Sequence, residues 1–186
     1  MPRVPSFPED ASNAHVFVRR PDIYAPFNQA TEAIMRGESP LSPGERELIG
    51  AFVSGLNSCG YCAGGHLAAA EAFGIAPGLL ESLLQDSDAA AIDARLRPIF
   101  AYVRKLTVSP ARLTDRDANA VFAAGWTEAA LHDAIAVCCL FSFMNRLVEG
   151  HGIRAIAERF AERGRRHQTL GYVQQFAGLL AGGGPR

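Results

Sequence analysis

Residues 47–66 read ELIGAFVSGLNSCGYCAGGH, which sets a carboxylate at Glu47, thiols at Cys59 and Cys62 and an imidazole at His66 in an E-x11-C-x2-C-x3-H pattern. On an α-helix each residue advances about 100°, so Cys59, Cys62 and His66 fall within roughly 60° of one another and share one face. Ser58 is a natural N-cap, which puts both cysteines in the first turn of the helix it opens. There the positive end of the helix favours a thiolate over a thiol. The pattern predicts a reactive dithiol with a base one turn away.

Glu47 belongs to the preceding helix. Ser42-Pro43-Gly44-Glu45 is a capping box with Pro at the first helical position, so that helix starts at about Pro43. Its bulky stripe is Leu48, Ile49, Phe52, Val53 and Leu56, while Glu47 shares the other side with Gly50, Ala51, Ser54 and Gly55. A solvated face would carry Lys, Arg or Gln; small residues around one carboxylate instead suit close approach by another helix. The dithiol helix offers small residues of its own in Ala63, Ala69 and Ala70. The two faces are expected to meet, with Glu47 directed towards the thiols and close to His66. Gly64 and Gly65 weaken the dithiol helix by about 1 kcal/mol each relative to Ala, which implies a helix packed closely there or room for substrate.

The rest of the chain is helical by periodicity. Residues 1–20, with Pro2, Pro5, Pro8 and Pro21 around them, read as an extended arm. Asp22 to Arg36 carries Ile23, Phe27, Ala30 and Ile34 at helical spacing and stops at Gly37. After the dithiol helix, which ends at Gly74, come a short helix from Pro77 to Leu84 and a longer one from Ala90 to Leu106. Thr114-Asp115-Arg116-Asp117 is a second capping box. Thr127 caps the most apolar helix, running to about Val148 and apolar almost all round, which predicts burial on every side. Arg154 to Arg163 and Thr169 to Leu180 follow, then a loose Gly-Gly-Gly-Pro tail. No alternating pattern of useful length signals a strand. The expectation is one all-α domain over 1–186: an arm over 1–20, a helical core over 20–160, and a C-terminal helix and tail over 161–186.

With 186 residues and a net charge of −1, the chain has no electrostatic claim on nucleic acid or an anionic membrane. The longest apolar run, Ala134 to Phe141, is too short to span a bilayer, and MPRVPSFPED lacks the apolar stretch of a signal peptide. A cytoplasmic, reducing setting follows, in which four cysteines are catalytic, metal-bound or buried rather than structural disulfides. A zinc site needs a fourth ligand beyond Cys59, Cys62 and His66, which Cys138 or Cys139 could supply, and it leaves Glu47 unexplained. Zinc-binding C-x2-C pairs also sit on tight turns, not at the head of an Ala-rich helix. A thioredoxin-like site needs strands around the dithiol. Cys138 and Cys139 read as small core hydrophobes. Arg146 reads as half of an ion pair, and His132, His151 and His167 as surface residues.

Glu47, Cys59, Cys62 and His66 together resemble the signature of the alkylhydroperoxidase AhpD-like proteins, within the carboxymuconolactone decarboxylase-like superfamily. Leu41-Ser42-Pro43, Ala68-Ala69-Ala70, and the run from Leu106-Thr107 through Leu113-Thr114 and Gly125-Trp126 to Phe143, Asn145 and Arg146 extend the likeness over about residues 20–160. That run resembles the uncharacterised peroxidase-related branch. The resemblance implies an all-helical protomer assembled as a trimer or hexamer, and a thiol-dependent peroxidase that reduces hydroperoxides without haem or flavin and without a metal. Its catalytic residues would be Cys62 as the attacking thiol, Cys59 as the resolving thiol, His66 as base and Glu47 as the residue that orients it. Its partners would be a hydroperoxide substrate and an external dithiol reductant. Decarboxylase members of the superfamily lack the cysteine pair. One position departs: the best-known AhpD proteins have a histidine directly before the second cysteine, where this chain has Tyr61. A thiol–disulfide oxidoreductase or a redox sensor would use the same four residues.

Overall fold

The computed structural model describes residues 1–86 and 90–181. Among them there are ten α-helices and no strand: α1 (Asn13–Phe17), α2 (Pro21–Arg36), α3 (Pro43–Leu56), α4 (Gly60–Ala72), α5 (Leu79–Gln85), α6 (Leu96–Val108), α7 (Asp115–Ala123), α8 (Glu128–His151), α9 (Phe160–Leu170) and α10 (Gln174–Ala181). The chain is all-α. The tail read as Gly-Gly-Gly-Pro lies outside the described residues.

Helix starts follow local chemistry. Ser42 Oγ accepts the backbone N–H of Glu45 at 3.2 Å, and Glu45 returns the bond to the Ser42 N–H at 2.7 Å. Thr114 and Asp117 repeat the arrangement at α7, and Thr127 Oγ1 accepts from Ala130 at α8. Each cap satisfies backbone donors that the first helical turn leaves without partners. Where the caps are weak, the boundaries differ from the sequence reading. α6 begins at Leu96 rather than Ala90. The C-terminal segment breaks at Gly171, where φ is +62°, giving α9 and α10 in place of helices at 154–163 and 169–180.

α3 is the central element, buried from Arg46 to Ser54. Its bulky stripe, Leu48, Ile49, Phe52 and Val53, forms the main core with Phe100 and Val103 of α6 and Val137 and Phe141 of α8. The small residues on its other side receive large neighbours. A Cβ at Gly50 would meet the Phe141 ring at 2.4 Å, and one at Gly55 would meet Leu84 at 2.7 Å. The small side of α3 therefore accommodates α8 and α5 at these positions, while α4 packs along the same helix beside them.

Three expectations are corrected. Residues 1–20 are not an extended arm: they form turns and the short helix α1, and Phe7, Ala11, Val16 and Phe17 are buried in a second core with Cys59, Tyr61, Cys62 and Phe176. The proline-rich composition broke up long helix without preventing burial. α8 is not buried all round, since Cys139 is exposed and Phe143 is 46 % exposed. Finally, α8 spans 24 residues, and it is the one helix among the described residues long and apolar enough, by length and composition, to cross a membrane. The unbroken run 134–141 understated it, and its inner face packs on α3 and α6.

Candidate active site

The link between α3 and α4 delivers the dithiol. Cys59 N–H bonds the Ser54 carbonyl at 2.9 Å and Ser58 N–H bonds that of Gly55 at 3.0 Å, with Ser58 at φ +57°. This is a Schellman close to α3, with Ser58 in the left-handed position that glycine usually occupies. Ser58 is thus the residue that ends α3, not the N-cap of α4; Cys59 takes that place. Cys62 then sits in the first turn of α4, where the helix end favours a negative sulfur.

Cys59 and Cys62 are free thiols, 0 % and 2 % exposed. The hydrogen bond from the Cys59 thiol holds the Cys62 thiol below its ordinary range, and Arg163 and Asn145 reinforce this against the cost of burial. Cys59 is pushed up, first by that same bond to Cys62 and then by burial. The pair titrates as a unit, and its first proton leaves as a thiolate at Cys62. The greater exposure usual for the first cysteine of a helical pair is absent here, because both sulfurs belong to the second core.

His66 Nδ1 lies 2.7 Å from Glu47 Oε2 in a fully buried contact. A carboxylate only accepts, so Nδ1 carries the proton and Nε2 is left as the basic nitrogen. Glu47 Oε1 accepts from Arg36 Nη2 at 2.5 Å and from the Tyr172 hydroxyl at 2.8 Å. Burial pushes Glu47 up, but the imidazoles and Arg36 outweigh it and hold the group at about 2. Arg36 is charged at every relevant pH, so it is the permanent counter-ion of the buried carboxylate. Burial lowers His66 despite the neighbouring carboxylate, so the imidazole is neutral at pH 7. Cys62 and His66 line one cavity of about 30 Å³, enough room for a water molecule.

The C-terminal helices roof this site. A Cβ at Gly64 would meet the Phe160 ring at 2.1 Å, one at Gly65 the Arg163 guanidinium at 2.8 Å, and one at Gly164 the Ala68 backbone at 2.5 Å. The glycines after Cys62 thus admit α9, the close approach the sequence implied. Arg163 Nη1 donates to the Tyr61 carbonyl at 3.1 Å and its guanidinium stacks on the Tyr61 ring at 4.0 Å. The Tyr61 hydroxyl donates to Asn13 Oδ1 at 2.9 Å, so Tyr61 tethers the N-terminal segment.

Residues 21–105 match the carboxymuconolactone decarboxylase family. The matched stretch runs from α2 through most of α6 and carries Arg36, Glu47, Cys59, Cys62 and His66. No curated protein matches the chain. Among solved structures it is similar to an alkylhydroperoxidase AhpD core, an uncharacterized peroxidase-related protein from Ralstonia eutropha JMP134. The identity is 27 % over 81 % of this chain and 78 % of that one, with a TM-score of 0.73. An uncharacterized peroxidase-related protein from Silicibacter sp. TM1040 shares the fold, with a TM-score of 0.69 at 24 % identity over 88 % of this chain and 94 % of that one.

Around the matched stretch, the flanking segments add residues that local spacing does not mark. His167 is not the surface residue its sequence context suggests: it is buried, its ring centroid 4.9 Å from those of His66 and Tyr172. Burial keeps it well below the ordinary imidazole range. Arg163 and His167, one turn apart and flanking Gly164, were the available signal for a close-packed functional face. Nothing in local spacing marked Arg36 or Tyr172. Asn145 of α8 donates to Ser54 Oγ at 2.9 Å and accepts from Asn57 at 3.0 Å, which explains a polar residue in an apolar helix. Arg146 has no carboxylate partner among the described residues and donates to the Ser142 carbonyl. Cys138 is a core residue 3.3 Å from Thr107 Oγ1, whereas Cys139 is exposed and not the small hydrophobe expected. No three His, Cys, Asp or Glu side chains among the described residues are grouped to share a metal ion.

Proposed function

We propose that the protein is a thiol-dependent peroxidase that reduces alkyl hydroperoxides through Cys59 and Cys62 with a Glu47–His66 proton relay. The observation that carries this reading is the buried His66–Glu47 bond, which leaves an unprotonated imidazole nitrogen lining the same small cavity as Cys62. His66 takes the Cys62 proton, directly or through one water, while Glu47 and Arg36 hold the ring and balance its charge. The thiolate attacks the terminal peroxide oxygen and the O–O bond breaks. One oxygen stays as a sulfenic acid on Cys62, and the other leaves as alcohol with the proton from His66. The Cys59 thiol then displaces that oxygen as water and forms the Cys59–Cys62 disulfide. An external dithiol reduces the disulfide and is itself oxidised, which suits a reducing compartment such as the cytoplasm.

The near-complete burial of both sulfurs favours a small peroxide over a protein disulfide as the oxidant. The resemblance to AhpD-like proteins, whose decarboxylase relatives lack the cysteine pair, supports the same choice over decarboxylation. The test is stopped-flow oxidation of the reduced protein by cumene hydroperoxide, with product masses. One equivalent should be consumed and a mass loss of two hydrogens found. Cys62→Ser should consume none, and Cys59→Ser should stop at a sulfenic acid that dimedone traps at Cys62. His66→Ala should slow the attack by roughly 10²–10⁴-fold. Dimedone labelling of Cys59 in the Cys62→Ser protein would reverse the two roles, and oxidation by a disulfide but by no peroxide would replace the reading.

A further inference from the structure

The cavity beside Cys62 and His66 is too small for the body of an organic hydroperoxide, but it does not stand alone. Asn13, Arg163 and Phe176 line both it and an outer cavity of about 210 Å³ that opens between the N-terminal segment and α9. The inner chamber suits a polar end group. Asn28 lines it, is 3 % exposed, and its side-chain Nδ2 has no hydrogen-bond partner. A buried amide without a partner in the protein is one that a ligand can satisfy.

The outer chamber combines an apolar wall with positive charge. Ile156, Phe160 and Phe176 supply the wall, and four arginines, 154, 159, 163 and 166, reach it. Arg159 is paired with Asp10 at 2.8 Å, and Arg163 is committed to Tyr61. The side chains of Arg154 and Arg166 make no hydrogen bond or ion pair among the described residues. Glu162 is the one carboxylate of the chamber outside the Asp10 pair, so the charges of the chamber sum to a net positive mouth. In a chain whose net charge is −1, that local excess is not a consequence of overall composition.

We infer that the outer chamber is the binding site for the anionic group of an amphipathic substrate: a hydroperoxide that places its –OOH by Cys62 and Asn28, its apolar body against Phe160 and Phe176, and a carboxylate or similar anion at Arg154 and Arg166. This assignment rests on the peroxidase reading for the reaction, but the anion site itself does not. Guanidinium groups hold carboxylates by charge-assisted and often bidentate bonds, and Arg154 and Arg166, both exposed at the mouth, are free to turn towards one.

Two measurements on the reduced full-length protein test it. In single-turnover oxidation, cumene hydroperoxide bearing a para-carboxylate should react roughly tenfold faster than its methyl ester at low salt. The ratio should shrink at 1 M salt, where the screening length falls to about 3 Å. Arg154→Gln with Arg166→Gln should bring the ratio to about one, and the matching pair of Lys substitutions should keep most of it. A ratio of one in the native protein, or one that survives the Gln pair, overturns the assignment. The second measurement needs no peroxide chemistry: 4-isopropylbenzoate should slow iodoacetamide alkylation of Cys62, its amide should do so far less, and the Gln pair should abolish the difference. Equal protection by acid and amide in the native protein refutes the anion site whatever the oxidation rates. Selective protection by the acid, in a protein that no hydroperoxide oxidises, upholds the site and removes the peroxidase reading instead.

Discussion

Glu47 shows how much one residue can organise. Fully buried, it accepts from His66, Arg36 and Tyr172, and its charge is retained because every lone pair that matters is met. Glu47→Gln would leave the Arg36 charge unbalanced in a dry site, so it should lower unfolding free energy by about 3–5 kcal/mol, read from urea denaturation. Ser58 makes the opposite prediction. A non-glycine residue at φ +57° carries a local strain, so Ser58→Gly should raise stability by up to about 1 kcal/mol, with the urea dependence unchanged. The pairing of Glu47 with His66 was legible from spacing and from the small residues around the carboxylate. The role of Ser58 was not, because a serine before a helix reads as an N-cap unless the end of the preceding helix is seen to claim it.

At the scale of elements, the site is a layer of three helices, with α4 held between α3 and α9. The α4–α9 contact depends on backbones that nearly touch. Gly164→Ala would drive a Cβ to within 2.5 Å of the Ala68 backbone, which cannot yield as a flexible side chain would. It should destabilise the protein by about 1–3 kcal/mol and loosen His167 and Arg163 over the dithiol, visible as faster alkylation of Cys62. Gly150, in the last turns of α8, is the contrast. Nothing lies within 4 Å of its added Cβ, so Gly150→Ala should stabilise by roughly 0.5–1 kcal/mol through helix propensity alone. The two substitutions are chemically identical, and only the surroundings reverse the sign.

For the molecule as a whole, the buried titratable groups set how it responds to acid. Glu47 is held at about 2 from an ordinary 4.5, and burial lowers His66 and His167 below 6.5. All three folded values lie below the unfolded ones, so the unfolded chain binds more protons and stability falls as pH falls. The histidine part should be lost as pH drops below 6.5 and the Glu47 part between about 4.5 and 2. Thermal melts should therefore decline in two stages, and His167→Gln should flatten the first. Assembly is the other property at this scale. Cys139 and Phe143 are exposed one turn apart on the outer side of α8, and we propose that a second copy packs there. Light scattering at micromolar concentration should give a multiple of the 19.9 kDa chain mass, and Phe143→Glu should reduce it to one chain.

The sequence by itself determined what is local. Capping boxes at Ser42 and Thr114, the cap at Thr127, and the turn-by-turn spacing of Cys59, Cys62 and His66 act over three or four residues, and the structure has each of them. It also marked Gly64 and Gly65 as a place for either a closely packed helix or substrate, and the structure puts α9 there. Which neighbour, only the tertiary structure decided. Arg36, Arg163, His167 and Tyr172 lie 11 to 125 residues from Glu47 in the chain, and no periodicity links them. They converge because a carboxylate cannot be buried without donors and a thiol pair cannot be shielded by its own helix. Both needs are met by whichever distant segments pack there. The N-terminal segment is the same case: its prolines forbid a long helix, but only contact with Tyr61 and the second core makes it a cover for the dithiol.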